Sequence, residues 1–182
     1  MAFWTSANSA PKRNFRFLVQ MGPNQDVIWW AKTVTTPSYS VAEVEHDFLD
    51  NKYYFPGRVT WDTVSMTLVD PVSPDAVKLT NQYVIGAEGG DQNYKVKQES
   101  DLEITVSKQK AVAAMGTVTI SVLNAEGSAI ETWTLKNAFI QSAKYGDLDY
   151  SNDDLRTLEL TLRYDWAECL TADGTEQFSV NV

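Results

Sequence analysis

The chain has 182 residues, 43% of them apolar, with 24 Asp and Glu against 15 Lys and Arg and a net charge of −9. That length suits one domain with a sizeable buried core, and the composition is not that of a disordered chain. The excess of carboxylates excludes a conventional nucleic-acid-gripping surface, where affinity comes from Lys and Arg neutralising phosphates. It leaves either plain solubility or a surface that must avoid sticking to nucleic acid. A single cysteine, Cys169, excludes an internal disulfide and a multi-thiolate metal site, and a single histidine, His46, excludes a His-based one. No apolar run approaches a membrane span, and the N-terminus lacks the apolar core of a signal peptide. The expectation is a protein made and kept in a cytoplasm unless exported within something larger.

In chain order, residues 1–13 read as an arm, rich in Ser, Asn and Pro but loaded with Phe3 and Trp4, apolar groups that need somewhere to dock. Phe15, Phe17, Val19 and Met21 alternate as one face of a strand, Gly22-Pro23-Asn24 is a turn, and Val27 to Val34 reads as the return strand. Thr35-Thr36-Pro37 ends it. Val41 to Phe48 is the next strand, with Ala42, Val44, His46 and Phe48 on one side and Glu43, Glu45 and Asp47 on the other. The carboxylates form either a solvated face or an acidic wall. Leu49 to Arg58 reads as a long loop or extended hairpin tip whose Leu49, Tyr53, Tyr54 and Phe55 suit a protein interface.

Trp61 to Val69 is a strand with Val64, Met66 and Leu68 inward. Ser73 as N-cap and Pro74 as first helical residue introduce one helix over Asp75 to Ile85, with Ala76, Leu79 and Tyr83 on its apolar face. Residues 88–110 read as an exposed, mixed-charge insertion holding a short strand at Leu102 to Val106. Thr117 to Leu123 and Ile130 to Leu135 form a hairpin about Asn124–Ser128. From Thr132 the chain reads as a further hairpin: a first arm to Tyr145, an acidic connection Gly146 to Asp154, and the cleanest strand of the sequence. There Leu158, Leu160, Leu162, Tyr164 and Trp166 share one face, and Thr157, Glu159, Thr161, Arg163 and Asp165 the other. Ala167 to Val182 is a tail able to add an edge strand. The sum is a mainly β fold: an antiparallel β-sandwich or barrel with one flanking α-helix and an extended hairpin loop.

No phosphate-cradling glycine motif occurs, and a nucleophilic triad would have to use His46, which lies inside an acidic strand. Asp147, Asp149, Ser151 and Asp153 begin a calcium-loop spacing, but Asn152 stands where glycine is needed and Leu158 where the bidentate Glu belongs. The reading is therefore no enzyme, no metal and no cofactor.

The order of elements, with the runs NKYYFPGRVTWDTVSMTLVD and LDYSNDDLRTLELTLRYDW, resembles the tail tube protein family of contractile-tailed bacteriophages. That family is similar in fold to the tubes of phage-like injection systems and of type VI secretion. The resemblance covers 14–166, the tail-tube β-barrel domain; 88–110 and the 167–182 extension depart from it. It implies a virion structural protein, assembled in the host cytoplasm, whose hexameric rings stack inside a contractile sheath. DNA crosses the lumen without specific binding, no membrane is entered, and the partners are further copies, tail sheath, baseplate and tail terminator proteins. On this reading Glu43, Glu45, Asp47, Glu159 and Asp165 are candidates to face the lumen. Phe3, Trp4, Leu49, Tyr53, Tyr54, Phe55 and Arg58 are candidates for contacts between subunits. The alternatives are the inner tube of an injection or secretion system, and a β-sandwich carbohydrate-binding module with Trp29, Trp30 and Tyr54 as its platform.

Overall fold

The computed structural model describes residues 11–73, 75–84, 95–97, 103–151, 153–172, 174 and 176–177. Expectations that fall on the remainder, Phe3 and Trp4 among them, lie outside the described residues. Strands β1 (Phe17–Met21), β2 (Asp26–Val27), β3 (Ala31–Val34), β4 (Tyr39–Phe48), β5 (Asn51–Trp61) and β6 (Val64–Val69) precede helix α1 (Ala76–Val84). Then come β7 (Lys95–Lys97), β8 (Glu103–Val106), α2 (Lys108–Met115), β9 (Val118–Leu123), β10 (Ala129–Lys136), β11 (Phe139–Tyr145), β12 (Thr157–Arg163), β13 (Trp166–Thr171) and β14 (Glu176–Gln177). Two antiparallel sheets hold most of them, in the orders β14-β13-β10-β9-β1-β2 and β11-β12-β6-β3, while β4-β5 and β7-β8 form separate ribbons. The architecture is the expected sandwich, and neither of its two main sheets is closed into a barrel.

The core lies between the two sheets. The alternation on β12 does what it predicted: Leu158, Leu160 and Leu162 are buried. They meet Val64, Met66 and Leu68 of β6 in direct register, and across the gap lie Val19, Val118, Ile120 and Leu135. Fully burying a side chain of this size is worth about 1.5–3 kcal/mol, so these two strands anchor the fold.

Several expectations need correction, most because a strand pattern does not say which sheet the strand joins. The run Val27 to Val34 is not one return strand. Ile28 N–H donates to Val19 O at 2.8 Å in the larger sheet, whereas Trp30 O accepts from Val69 N–H at 2.9 Å in the smaller. The chain therefore crosses between sheets at Trp29. The arm Thr132 to Tyr145 is likewise two strands: Asn137, at φ 55°, breaks it and sends β11 to the other sheet. Trp166 opens β13 and so leaves the face it was expected to share with Leu162. The segment after Trp166 is no loose tail, since β13 pairs with β10 from Glu131 to Lys136 and buries Ala167 and Cys169. The edge strand expected there is β14. Trp61 belongs to β5, and the following strand starts at Val64. Phe15 is 74% exposed, outside the strand it was expected to open.

Helix α1 starts later than expected. Ser73 does not cap it; the Asp75 carboxylate does, accepting from Lys78 N–H at 2.9 Å. A second helix, α2, for which the sequence reading had no element, begins in the last three residues of the expected insertion and runs on to Met115. Its Ala111, Ala114 and Met115 are buried, and it ends on Gly116 at φ 64°. Gly116 packs so closely on the turn after β1 that a Cβ there would meet Gly22 O at 2.7 Å. Gly22 N–H donates to Met115 O at 3.0 Å across the same contact.

Candidate functional site: the ribbon and the open sheet

The segment read as a loop or hairpin tip is a strand. β4 and β5 pair from Tyr39↔Trp61 to Phe48↔Asn51 as a ribbon turning at Leu49-Asp50. Ten residues of β4 extend about 34 Å at 3.4 Å per residue. Every ribbon side chain except Trp61 is exposed, so neither face packs on the molecule's own core.

The register sorts the two faces. Val44 lies opposite Phe55 and His46 opposite Tyr53, giving one distal face of aromatic and aliphatic groups. The other pairs Glu43 with Pro56, Glu45 with Tyr54 and Asp47 with Lys52. Lys52 ion-pairs with Glu45. The register shifts between Val41 and Glu43, a bulge at which Gly57 faces Ala42. A Cβ on Gly57 would meet Ala42 O at 2.9 Å, which is why the smallest residue sits there. At the tip Leu49 adopts φ 55° while 87% exposed. An apolar β-turn residue in a conformation that favours glycine is a strained choice for a solvent-facing tip.

The base of the ribbon is tied to the sandwich. Ser38 Oγ donates to Asp62 Oδ2 and Asp62 N–H to Ser38 O, each at 2.9 Å. Tyr39, Trp61 and Tyr164 form an aromatic chain with centroids 5.4 and 6.0 Å apart. Burial and the nearby Asp62 charge push the buried Tyr164 phenol up to about 12. A cleft of ≈ 710 Å³ opens beside it, between the ribbon base, α2 and β11.

The four-stranded sheet offers the second surface. Among the described residues β3 and β11 each pair on one side only, so both edges are open. Its outward face carries the rows Lys144–Glu159–Thr67 and Ser142–Thr161–Ser65. This is a hydroxyl-rich wall with mixed charge.

The five carboxylates proposed for a channel are thus dispersed. Glu43, Glu45 and Asp47 are on the ribbon, and Glu159 is on the sheet face opposite Lys144. Asp165 is engaged by Lys108 at 2.6 and 2.8 Å and by Asn137 at 2.8 Å. Burial would raise its pKa, but these hydrogen bonds and the Lys108 charge hold it below the usual carboxylate range. Leu49, Tyr53, Tyr54, Phe55 and Arg58 all lie together on the ribbon. Trp30 is buried in the core, which removes it from the suggested carbohydrate platform. Among the described residues no cluster of His, Cys, Asp and Glu is arranged to hold a metal ion, and no helix is long and apolar enough to cross a membrane.

The sequence profile of the family described as "T4-like virus tail tube protein gp19" matches residues 13–168. The fold is similar to that of a chain in the structure of the anti-feeding prophage cap (tube-terminating cap), at TM-score 0.66 and 17% identity, over 90% of this chain and 93% of that one. It is also similar to a chain of the sheath–tube complex of the PVC extracellular contractile injection system, at TM-score 0.64 and 21% identity, over 91% and 95%. An Hcp protein aligns at TM-score 0.51 and 15% identity, over 89% and 97%. No curated protein matches the chain significantly in sequence.

Proposed function

Because the chain belongs to the T4-like virus tail tube protein family, we propose that it builds a phage tail tube of stacked hexameric rings around a channel through which DNA passes. The observation that carries the reading at residue level is the four-stranded sheet with a polar outer face and two open edges. Side-by-side pairing of β11 of one copy with β3 of the next would continue the sheet around a ring, satisfy both edges and close on itself. The outer face would then line the lumen. Ser65, Thr67, Ser142 and Thr161 present hydroxyls to passing DNA, and Lys144 and Arg163 are offset by Glu159. Such a wall offers no row of cations for phosphates to settle on. Glu159 keeps its place as a lumen residue, Asp165 is committed to Lys108, and Glu43, Glu45 and Asp47 travel with the ribbon.

The ribbon is the proposed contact to a neighbouring copy or ring. Its apolar distal face, its exposed Leu49 and its length support that role. On this reading the protein is structural, does no chemistry, works in the virion tail after assembly in the host cytoplasm, and meets sheath, baseplate and terminator proteins. The tube of an injection particle shares the same wall and differs in what passes through it.

The test is a cysteine pair. Thr33→Cys on β3 and Lys144→Cys on β11, oxidised at assembling concentration, should give a ladder of covalent oligomers that ends at the closed ring. Only monomer, or dimers that do not extend, would sink the edge-to-edge arrangement.

A further inference from the structure

Two features outside the ribbon and the sheet wall carry opposite charge. A groove of ≈ 620 Å³ follows β3 at the margin of the two sheets, and Lys12, Arg13, Arg16 and Lys32 line it above Phe17 and Val34. Four of the chain's 15 Lys and Arg thus gather on one groove of an acidic protein. Lys12 ion-pairs with Glu131, and the Arg16 guanidinium lies 5.3 Å from the Phe15 ring. Among the described residues Arg13 and Lys32 form no ion pair. The second feature is the connection between β11 and β12. Asp147, Asp149, Asp153 and Asp154 stand there beside Leu148, Tyr150 and Leu155, whose side chains are exposed. The Ser151 N–H and hydroxyl both donate to Asp149 and pull its pKa below the usual carboxylate range.

Their placement is complementary. The acidic connection hangs from β11, one edge of the four-stranded sheet, and the basic groove follows β3, the other edge. Both lie toward the same end of the strands, since Lys32 lines the groove and also a hollow walled by Asp147, Asp149 and Asp154 of its own connection. Lys32 is the one groove residue that shares this hollow; Arg13, Arg16, Phe17 and Val34 do not line it, and Leu148 and Tyr150 remain open to solvent. Residues 1–10 hold no Asp or Glu, so the arm lacks the charge that the groove calls for.

We infer that the groove along β3 is the seat for the acidic connection 146–156 of a second copy. The inference rests on the edge-to-edge ring and names the side-chain contact that selects it. Each copy donates one connection and receives one, so the contact is head-to-tail and satisfied all round only in a closed ring. Opposite charges at both open edges favour β11 beside β3 and disfavour β3 beside β3, where the basic grooves would face each other. The burial of Leu148 and Tyr150 against Phe17 and Val34 adds an apolar component that salt does not screen.

The experiment compares ring formation of the full chain by sedimentation at low and high salt for four proteins. These are the wild type, a groove reversal (Arg13→Glu, Arg16→Glu, Lys32→Glu), a connection reversal (Asp147→Lys, Asp149→Lys, Asp153→Lys, Asp154→Lys) and both reversals in one chain. Each reversal alone should raise the concentration needed for assembly by about tenfold or more, equivalent to about 1.4 kcal/mol. The double reversal should recover assembly, and circular dichroism should be the same throughout. Wild-type rings that neither reversal weakens, or a double reversal no better than the single ones, would overturn the contact and leave the ring intact. A wild type that forms no rings would remove the ring itself. If a reversal fails to fold, Arg13→Gln with Lys32→Gln must still weaken assembly, and an unchanged threshold would overturn the inference equally.

Discussion

Leu158, Leu160 and Leu162 on β12 and Val44, His46 and Phe48 on β4 alternate with polar residues in the same period of two. On β12 the apolar face is buried against β6 and the opposite sheet, whereas on β4 it is exposed along its whole length. Alternation fixes backbone conformation and the division into faces, but not what covers them. The covering comes from what packs on the face: the opposite sheet lies over the β12 leucines, while among the described residues β4 and β5 pair only with each other and their faces stay exposed. Strand β12 therefore holds the monomer together, and the exposed ribbon is the surface proposed to hold the assembly.

The most forceful break in that contrast is Leu160→Ala. Leu160 is almost fully buried, so the truncation should cost about 2–5 kcal/mol, visible as an earlier midpoint in urea unfolding followed by circular dichroism. Tyr53→Ser, Tyr54→Ser and Phe55→Ser together should abolish assembly and leave the unfolding free energy within about 1 kcal/mol, since exposed positions contribute little to the isolated fold. Loss of the fold would place the ribbon in the core after all.

A smaller effect belongs to Asp165, whose ion pair joins α2 to the end of β12. Asp165→Asn should cost about 1 kcal/mol or less at neutral pH. Because the folded pKa is depressed, the wild-type contribution is present above the ordinary carboxylate pKa and fades as pH falls through the lower folded value. Acid unfolding profiles should therefore converge below about pH 4; curves that stay parallel would contradict this. The smallest effect is at the tip. Leu49→Gly relieves a left-handed leucine, so monomer stability should hold or rise by up to about 1 kcal/mol while assembly weakens. An unaffected assembly threshold would show that Leu49 makes no contact.

Much of this was legible in the residues themselves. The β12 leucines, the Asn124 turn and the β6 face follow directly from period and turn chemistry. The turn is held by the Asn124 side chain, which accepts from Glu126 N–H at 2.9 Å and Ser128 N–H at 2.8 Å. What failed was sheet membership. The crossings at Trp29 and Asn137 interrupt runs that read as continuous strands, because backbone pairing is a long-range property. Asn137 is the one local sign, as a residue type that tolerates left-handed φ. Helix α2 was missed because its buried face is two alanines and Met115 at its very end, too small a stripe to read; Gly116 closing Ala113-Ala114-Met115 was the available signal. The ribbon was half legible: its aromatics are exposed as an interface reading requires, but Pro56 and Gly57 made a strand read as a loop. Residue types alone also grouped acids that the structure distributes over the ribbon, the sheet face and an ion pair.

The central claim is that this folded chain assembles with copies of itself through its open sheet edges and exposed ribbon. Electron microscopy of the purified full-length protein at increasing concentration tests it most directly. Rings with a central hole, stacking into tubes of constant diameter, are the expected result. A protein that stays monomeric at high concentration and low salt, with its ribbon still exposed, would contradict that claim.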